Sequence, residues 1–472
     1  MISPVGEEDW QELIAEYGGV SPRPFERIVE VVREGDCQSV VVENRYIDLD
    51  YRSEYSAYWS TLFNSSSPFT RRLHFFAEEI SEDELHQLSD DLGYLGYSVV
   101  RPIPTGPVGR TILKPPPSLS DATIAWVQDS VSLFGKDLKV KGAPFCQQDV
   151  EYLRCAHAAA WSCHYVSYKR DLVGRCNTAE IVDMSPTLLM PDRALPSKGM
   201  NLNQLQAVFG GMGQPALFYG LSNLPRVPGV PNPTPPEVEP DEVVPAAGHW
   251  DTRIISIICR YLNSGFPVLI ATFDHAFVLT GWIRENGDVR FIAGDDQIGP
   301  YETIESPFDH YRKPWQGIMV PLPPKVMLSG EVAEGEAHKV MRSVASQVGA
   351  LDWLAEGLLL NGDIELRSRL IKGRVFKRDV AAQTSSNDVL RELRYARLPH
   401  WVWIVEAHHR ARCHQGPCVV ATAVFDSTSP DHAPRMLALS LPGFVLVQPP
   451  DGGNQRQVAG SIDPWDSMLV AH

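Results

Sequence analysis

One short helical segment limits the possible folds of this chain more than any other part of its sequence. Residues 155–168 read CAHAAAWSCHYVSY, and the alanines after Cys155 let other parts of the chain pack closely around a helix. Such a helix predicts the centre of a domain and not its surface. The flanking sequence must therefore supply the elements that surround it.

The sequence around this helix changes from helical to β-rich. Further helices are expected at residues 201–209 and 251–262, and the runs PVLIATF, HAFVLTGWI and DVRFIAG predict three strands. Asn286-Gly287 separates the last two runs and is typical of a hairpin turn. The middle of the chain is therefore expected to be α+β, with a helical half followed by an antiparallel sheet.

Two proline-marked segments, LKPPPSLSD and PLPPK, predict domain boundaries. Neither can continue a central strand or helix, because proline lacks an N–H donor and restricts the backbone. We expect α+β domains on both sides of the middle one. The predicted ranges are 1–120 for the N-terminal domain, 121–325 for the middle domain and 326–472 for the C-terminal domain.

Two further segments have a clear pattern. SEDELHQLSDDLGYLG, residues 81–96, predicts an amphipathic helix with an acidic first turn. LPRVPGVPNPTPPEVEP, residues 224–240, is too rich in proline to pack and is expected to be a surface excursion of the middle domain.

Composition excludes several classes of protein. The net charge is −16 over 472 residues, and no run of Lys and Arg could neutralise a nucleic acid backbone. The start of the chain lacks a signal-peptide pattern, and no apolar stretch approaches the roughly 18 residues that a membrane span requires. The eight cysteines are too sparse for a disulfide framework. A cytoplasmic protein without a nucleic acid or membrane partner is therefore expected, and its oligomeric state stays open.

Cys155 is the candidate nucleophile. A thiol attacks as its thiolate, which a helix N-terminus and a neighbouring imidazole both favour. Cys155 begins a predicted helix, and His275 opens the predicted strand HAFVLTGWI. The base would then stand at one end of a rigid sheet.

A carboxylate is expected beside His275. After the Asn286-Gly287 turn, the returning strand ends at Asp295 and Asp296, so an antiparallel hairpin brings one of them back to the imidazole. Upstream of the nucleophile, Gln147 and Gln148 offer side-chain N–H groups to an oxyanion, alongside the backbone N–H of Cys155. Residues alone do not decide between the two aspartates or between the two glutamines.

The order of these motifs resembles that of papain-like cysteine peptidases, specifically the bacterial branch related to bacteriocin-leader-processing peptidases. The motifs are QQDVEYLRCAHAAAW, HAFVLTGW and DDQIGPY. The resemblance implies a papain-like core, an amide substrate in a protein or peptide, no cofactor and no metal. It assigns Asp296, three residues before Gly299, as the residue that orients His275, with Asp295 as the substitute. The family's Gln usually lies slightly nearer the Cys, so the oxyanion donor stays open.

Other interpretations of the chain remain. The same triad suits a deamidase or an amide transferase, because it does not choose the nucleophile of the second step. The middle domain could also be an inactive scaffold that binds a protein partner. The cluster HHRARCHQGPC holds ligand types that zinc accepts, namely His408, His409, Cys413, His414 and Cys418, but its spacing is not a paired CxxC pattern.

The remaining Cys and His residues near the nucleophile are weaker candidates. Cys146 and Cys163 are expected to be structural. His157 and His164 flank the same helical segment, but no carboxylate-bearing strand follows either of them.

Overall fold

The computed structural model describes residues 6–63, 66–80, 93–185, 199–220, 252–285, 288–304, 315–358, 363–383, 386–410, 418–449 and 455–459. The chain forms two compact units. The first comprises Met1–Ile255 and Gly265–Pro324, and the second comprises Ser256–Ser264 and Lys325–His472. Each unit contains both helices and antiparallel sheet, so the fold class is α+β.

The helices of the described residues are distributed over both units. They are α1 (Glu7–Tyr17), α2 (Arg23–Glu34), α3 (Leu49–Ala57), α4 (Cys155–Lys169), α5 (Thr178–Asp183), α6 (Leu202–Gly211), α7 (Thr252–Asn263), α8 (Gly330–Ala345), α9 (Asp352–Gly357), α10 (Gly373–Gln383) and α11 (Asn387–Tyr395).

The strands of the first unit are β1 (Ser39–Tyr46), β2 (Thr70–Phe76), β3 (Tyr94–Val100), β4 (Val108–Leu113), β5 (Thr123–Ile124), β6 (Val127–Leu133), β7 (Lys136–Gly142), β8 (Pro144–Phe145), β9 (Ala216–Gly220), β10 (Val268–Ala271), β11 (Ala276–Glu285), β12 (Asp288–Asp295), β13 (Gly299–Ile304) and β14 (Gly317–Pro321). Those of the second unit are β15 (Ile364–Lys372), β16 (Trp401–His409), β17 (Val419–Asp426), β18 (Met436–Leu441), β19 (Phe444–Val447) and β20 (Arg456–Ala459).

The described residues of the first unit form two larger sheets and a hairpin. One sheet has the strand order β1-β2-β3-β4-β8. Its apolar side chains share a core with α1 and α2, to which Phe25, Ile28 and Phe75 contribute. The β6–β7 hairpin alternates buried and exposed residues, as a strand with one solvated face does. Its turn places Phe134 and Gly135 at φ 49° and 78°.

The second sheet of this unit carries the central helix. Its strand order is β13-β12-β11-β10-β14-β9, and β5 also pairs with β11. Helix α4 packs on this sheet, and their joint core includes Trp161, Val166, Leu269, Val278 and Met319. Every α4 residue from Ala156 to Ser167 is buried. Helix α4, which is apolar on all sides, therefore lies in a core, as its sequence predicts.

The predicted N-terminal domain belongs to the same compact unit as the predicted middle domain. The boundary expected near residue 120 lies inside this unit, because β8 from the middle segment closes the N-terminal sheet by pairing with β4. A buried polar contact joins the same two segments: the Trp161 indole donates to Asp50 Oδ1 at 3.4 Å. The boundary expected at 325/326 lies at the division between Pro324 and Lys325.

The second unit is built on a six-stranded antiparallel meander, β15 to β20 in sequential order. On one face, Phe376 and Leu393 from α10 and α11 share a core with Ile404 of β16. Residues 256–264 belong to this unit although the sequence on either side of them belongs to the first. There the Arg260 guanidinium pairs with Glu331 at 2.8 Å and with Glu334 at 3.0 Å.

Three predicted segments lie wholly or partly outside the described residues. The helix expected at 81–96 falls on undescribed residues up to 92, and its last residues form the start of β3 instead. Gly93, at φ 60°, precedes that strand, and Tyr94 pairs with Phe76. Sheet pairing thus replaces the helical pattern there. The proline-rich segment 224–240 and the Asn286-Gly287 turn are also outside the description.

Within the described parts of the chain, every helix is too short or too polar to cross a lipid bilayer.

Candidate active site

Cys155 is the first residue of α4, and a tight turn leads the chain into it. One oxygen of the Asp149 carboxylate holds this turn by accepting three successive backbone N–H groups. They are those of Glu151 at 2.9 Å, Tyr152 at 2.7 Å and Leu153 at 2.9 Å. Within the turn, Val150 adopts the left-handed φ of 61°. The direction in which α4 starts is therefore fixed by a buried side chain.

The thiol of Cys155 lies where a helix favours negative charge. The first N–H groups of a helix have no acceptor within it, and the helix dipole is positive at this end. His157 occupies the first turn and accepts the Arg154 N–H on Nδ1 at 3.2 Å. Cys155 itself is half-buried, whereas Cys163 on the same helix is fully buried. Only the former can meet a ligand.

His275 lies at the turn between β10 and β11, immediately before β11. The Thr272 hydroxyl accepts the His275 N–H at 3.1 Å, and the Thr272 N–H donates to the His275 carbonyl at 2.8 Å. The ring stacks on Phe277 with 6.1 Å between ring centroids. Side chain and backbone of His275 are thus both held by neighbouring residues.

Asp295 is the carboxylate bonded to His275. Its two oxygens lie 3.2 and 3.1 Å from Nε2 of the ring. One of them also accepts the backbone N–H of Gln297 at 2.8 Å. The turn that follows needs Gly299, whose φ is 132° and whose position would bring a Cβ within 2.4 Å of Arg27. The strand end and its turn together orient the imidazole.

The expected assignment of Asp296 as the orienting residue differs from this geometry. Its nearest oxygen is 3.7 Å from Nε2, beyond hydrogen-bond length. Neither oxygen of Asp296 has a hydrogen-bond partner of ordinary geometry among the described residues, although the carboxyl is buried. Burial and the neighbouring charge of Asp295 raise the pKa of Asp296 to about 8. Asp296 is therefore a neutral carboxylic acid at neutral pH.

Cys155 and His275 interact directly. Burial acts to lower the pKa of His275, but hydrogen bonds to Asp295 and to the Cys155 thiol, with the charge of Asp295, outweigh it and raise the pKa to about 11. An imidazole with this pKa is protonated at neutral pH. The Cys155 thiol is therefore the hydrogen-bond partner of a protonated imidazole.

The two candidate glutamines have different surroundings. Gln147 is buried: its amide donates to the Ser21 carbonyl at 3.2 Å, and its side-chain oxygen accepts the Val108 N–H at 3.2 Å. Gln148 is half-buried and lies near Asp296, since a hydrogen bond from it acts to lower the pKa of that carboxyl. Of the two glutamines, Gln148 is therefore the one that lies near a catalytic candidate.

A buried arginine holds the backbone before Gln148. Arg101 pairs with Glu54 at 3.1 Å, and its Nη2 donates to the Gln147 carbonyl at 2.6 Å and to the Gly106 carbonyl. Gly106, at φ 74°, packs so closely that a Cβ there would lie 1.9 Å from the carbonyl oxygen of Gln148. The segment carrying the glutamines is thus fixed from outside α4.

A cleft of about 560 Å³ adjoins both Cys155 and His275. Its lining combines polar and apolar side chains, among them Met200, Leu202 and Gln316. Phe273, from the turn before His275, also lines the cleft and is 80% exposed. A volume of this size accommodates several atoms of a chain on either side of a reacting bond.

The other Cys and His residues on α4 are engaged away from Cys155. Burial and the Arg154 charge lower the pKa of His157 to about 4. His164 bonds through Nδ1 to Gln214 at 2.7 Å. Burial raises the pKa of the Cys163 thiol well above its usual range. These contacts account for the three side chains as parts of the core.

Potential metal ligands occur together at one place among the described residues. Single donor atoms of His275, Asp295 and Asp296 lie within 4.8 Å of one another. Oxygen and nitrogen donors at this spacing suit a divalent cation. Hydrogen bonds of ordinary geometry already engage His275 and Asp295, whereas the Asp296 oxygens have none among the described residues.

The sequence cluster at 408–418 belongs to the second unit and is only partly described. Cys413 and His414 lie outside the described residues. His408 bonds to Glu406 and to Cys418, and the His409 ring lies 6.2 Å from that of Trp353. These described residues do not form a set of three clustered metal ligands.

Sequence reasoning missed Gln297. Its side-chain amide nitrogen lies 3.3 Å from Nδ1 of His275, on the opposite side of the ring from Asp295. The signal for it was the DDQIG turn itself, in which a polar residue follows the two carboxylates directly.

No family model matches the chain, and no significant match was found among curated proteins or solved structures. The papain-like resemblance therefore rests on the ordered motifs of the sequence.

Proposed function

We propose that this chain is a papain-like cysteine hydrolase that cleaves an amide bond of a protein or peptide. The observation that carries the proposal is the contact of Cys155, at the start of buried α4, with His275, whose far nitrogen bonds to Asp295 at 3.1 Å. Nucleophile, base and orienting carboxylate thus follow one another in bonding order, as covalent catalysis requires. The nucleophile helix packed on an antiparallel sheet supports a papain-like core.

The first step forms a thioester. The Cys155 thiolate attacks the amide carbonyl, the C–N bond breaks, and the His275 imidazolium gives its proton to the leaving amine. Asp295 keeps the proton-bearing Nε2 directed away from the thiol. Nδ1 is therefore the nitrogen that transfers the proton in the reaction. Water then attacks the thioester with His275 as base and releases the carboxylic acid.

The negative oxygen of the tetrahedral intermediate needs hydrogen-bond donors. Half-buried Gln148 and the backbone N–H of Cys155 are our candidates, since both amide groups of Gln147 are already used within the fold. Removing one such donor typically slows an enzyme by about 100- to 1000-fold. No cofactor is needed for these steps.

The cleft supports an extended substrate with an apolar side chain next to the reacting bond. Met200 and Leu202 line it, and exposed Phe273 lies two residues before the catalytic histidine. A peptide side chain that covers Phe273 would gain the free energy of burying an aromatic ring. We also propose a cytoplasmic location, because the eight cysteines are too sparse for a disulfide framework.

Thiol labelling tests the activation of Cys155. Intact protein is treated briefly with iodoacetamide at neutral pH, and the adduct at each cysteine is quantified by mass spectrometry. We expect Cys155 to react at least about tenfold faster than the other cysteines, and His275→Gln to remove this advantage. Cys163→Ala, on the same helix, is the matched control and should leave labelling of Cys155 unchanged. Uniform labelling would favour the inactive scaffold.

Proteomic comparison tests the reaction class. Cells that express the wild-type protein are compared with cells that express Cys155→Ala. New peptide termini that depend on Cys155 support a peptidase, whereas Gln or Asn side chains converted to acids identify a deamidase and new amide cross-links a transferase. Identical proteomes, together with slow labelling of Cys155, would contradict every hydrolase or transferase version of the proposal.

A further inference from the structure

The second unit contains another thiol bonded to an imidazole. The Cys418 sulfur lies 3.3 Å from Nδ1 of His408, and Nε2 of the same ring lies 3.1 Å from Oε2 of Glu406. His408 and Glu406 are two residues apart on β16, so their side chains share one face of the sheet. Thiol, imidazole and carboxylate therefore follow one another in bonding order.

The strand pairing fixes this group. His408 lies opposite Val419 at the start of β17, and the His409 N–H donates to the Cys418 carbonyl at 2.9 Å. Cys418 thus precedes the residue opposite His408 in the ladder and is held there by the backbone of His409. His408 is 1% exposed and Glu406 is fully buried, while Cys418 is half-buried. Only the sulfur end of the group is accessible.

A cationic side chain of neighbouring β15 also approaches this group. A buried carboxylate bonded to an imidazole stabilises the imidazolium, which in turn stabilises an adjacent thiolate. Arg369, on neighbouring β15, also interacts with Glu406: burial acts to lower the pKa of this arginine, and the charge of Glu406 opposes that change. The Arg369 guanidinium is therefore a positively charged neighbour of Glu406.

We infer that Cys418, His408 and Glu406 form a second reactive-thiol site, whose reagent is a small hydroperoxide. Cys418 precedes a β-strand and not a helix, so the first-turn N–H groups that would hold an acyl oxyanion at Cys155 have no counterpart at its sulfur. A peroxide needs no such donors. The buried location of the imidazole and carboxylate also favours a small reagent over a peptide.

The reaction is a two-electron oxidation of sulfur. The Cys418 thiolate attacks one peroxide oxygen, an S–O bond forms and the O–O bond breaks. The leaving oxygen takes the proton of the His408 imidazolium and departs as water or an alcohol. The thiol becomes a sulfenic acid while the peroxide is reduced, and other thiols can reverse this product.

Trapping of the sulfenic acid tests the site. Full-length protein carrying Cys155→Ala, which removes the other candidate nucleophile, is treated with hydrogen peroxide and dimedone. Adducts are then quantified at each cysteine by mass spectrometry. We expect Cys418 to be labelled at least about tenfold faster than Cys259, a half-buried cysteine of the same unit. Equal rates at the two cysteines would overturn the inference.

A variant of His408 distinguishes activation of the Cys418 thiol from simple exposure of that thiol to the reagent. His408→Gln keeps a donor in place of Nε2 for Glu406 but removes the imidazole, and it should slow labelling of Cys418 about tenfold with an unchanged circular dichroism spectrum. An unchanged rate in this folded variant refutes activation by His408. Should the variant not fold, the comparison of Cys418 with Cys259 in the parent protein decides. Labelling that appears only after a chelator is added would identify Cys418 as a metal ligand and also overturn the inference.

Discussion

At the scale of single residues, the adjacent carboxyl groups of Asp295 and Asp296 differ in their hydrogen bonding. Asp295 bonds to the His275 ring and to a backbone N–H, whereas Asp296 is buried without such bonds among the described residues. Two carboxylates so close together cannot both ionise without cost. With its pKa raised to about 8, Asp296 is the carboxyl that holds a proton at neutral pH.

This difference predicts how stability depends on pH. In the unfolded chain Asp296 ionises near its ordinary value of 3.8, but in the folded protein its pKa is about 8. The folded state therefore holds the extra proton between these values, so the free energy of unfolding falls as pH rises through this window. The slope is about 1.4 kcal/mol per pH unit where the difference of one proton is complete.

Asp296→Asn should remove this pH dependence. We expect the variant and the wild type to unfold at similar urea concentrations near pH 4, and the variant to be the more stable of the two at pH 8. Asp121→Asn, which removes an exposed carboxylate, is the matched control and should follow the wild type. Parallel curves for Asp296→Asn and wild type from pH 4 to 8 would contradict a buried neutral Asp296.

The sequence indicated which carboxylates approach His275 but not which one bonds to it. The spacing to Gly299 favoured Asp296, whereas the hydrogen bonds belong to Asp295. A register shift between Ala293 and Asp295 in the pairing of β12 with β13 explains why. An irregularity of one residue reverses which side chain faces a given side of a strand, and spacing in the sequence does not reveal it.

At the scale of elements, the best-predicted parts are those with a strong local pattern. The α4, α6 and α7 ranges lie close to the expected helices, and β10, β11 and β12 correspond to the three β-rich runs. Cys155 and His275 occupy the expected ends of their elements. The bond from Arg101 to the Gln147 carbonyl, which holds the backbone before Gln148, was not predictable from the sequence. Residues about 46 positions apart come together there only after folding.

This support gives a prediction for the loop at Gly106. A Cβ at Gly106 would meet the Gln148 carbonyl at 1.9 Å, so Gly106→Ala should displace the proposed oxyanion donor and lower kcat about tenfold or more. Gly135→Ala is the matched control, because its φ of 78° is similar but no described atom lies within 4 Å of the added carbon.

Both variants should lose about 1–2 kcal/mol from the left-handed backbone conformation, measured by urea unfolding. Only Gly106→Ala should lose more than this, and only it should change kcat. Equal effects of the two substitutions on stability and kcat would show that the close approach to Gln148 has no role in the reaction.

At the scale of the whole molecule, the chain contributes a segment to the second unit before the sequence of the first unit is complete. Residues 256–264 belong to the second unit, and the sequence that follows returns to the first at Gly265. A proline-marked boundary was expected at 325/326, one residue from the division between Pro324 and Lys325, but no sequence pattern indicated this exchange. A helix pattern gives no information about which distant segment covers it.

Truncation after Pro324 should therefore destabilise the fragment that contains the candidate active site. Ile258 and Tyr261 are fully buried in the complete chain, and Arg260 loses Glu331 and Glu334 in the fragment. We expect fragment 1–324 to aggregate or bind a hydrophobic dye, and co-expression of residues 325–472 as a separate chain to restore its solubility. A soluble, monomeric fragment with the melting temperature of the full protein would contradict this expectation.

The route of the chain also has a consequence for biosynthesis. Ribosomes add residues from the N-terminus onward, so the segment with Arg260 leaves the exit tunnel before its partners beyond residue 324 are made, a delay on the order of ten seconds. The strand led by His275 is translated during this delay. Newly made chains must therefore keep an apolar helix face uncovered until translation is nearly finished, and a chain ended by a premature stop codon leaves that face open to chaperones and proteases.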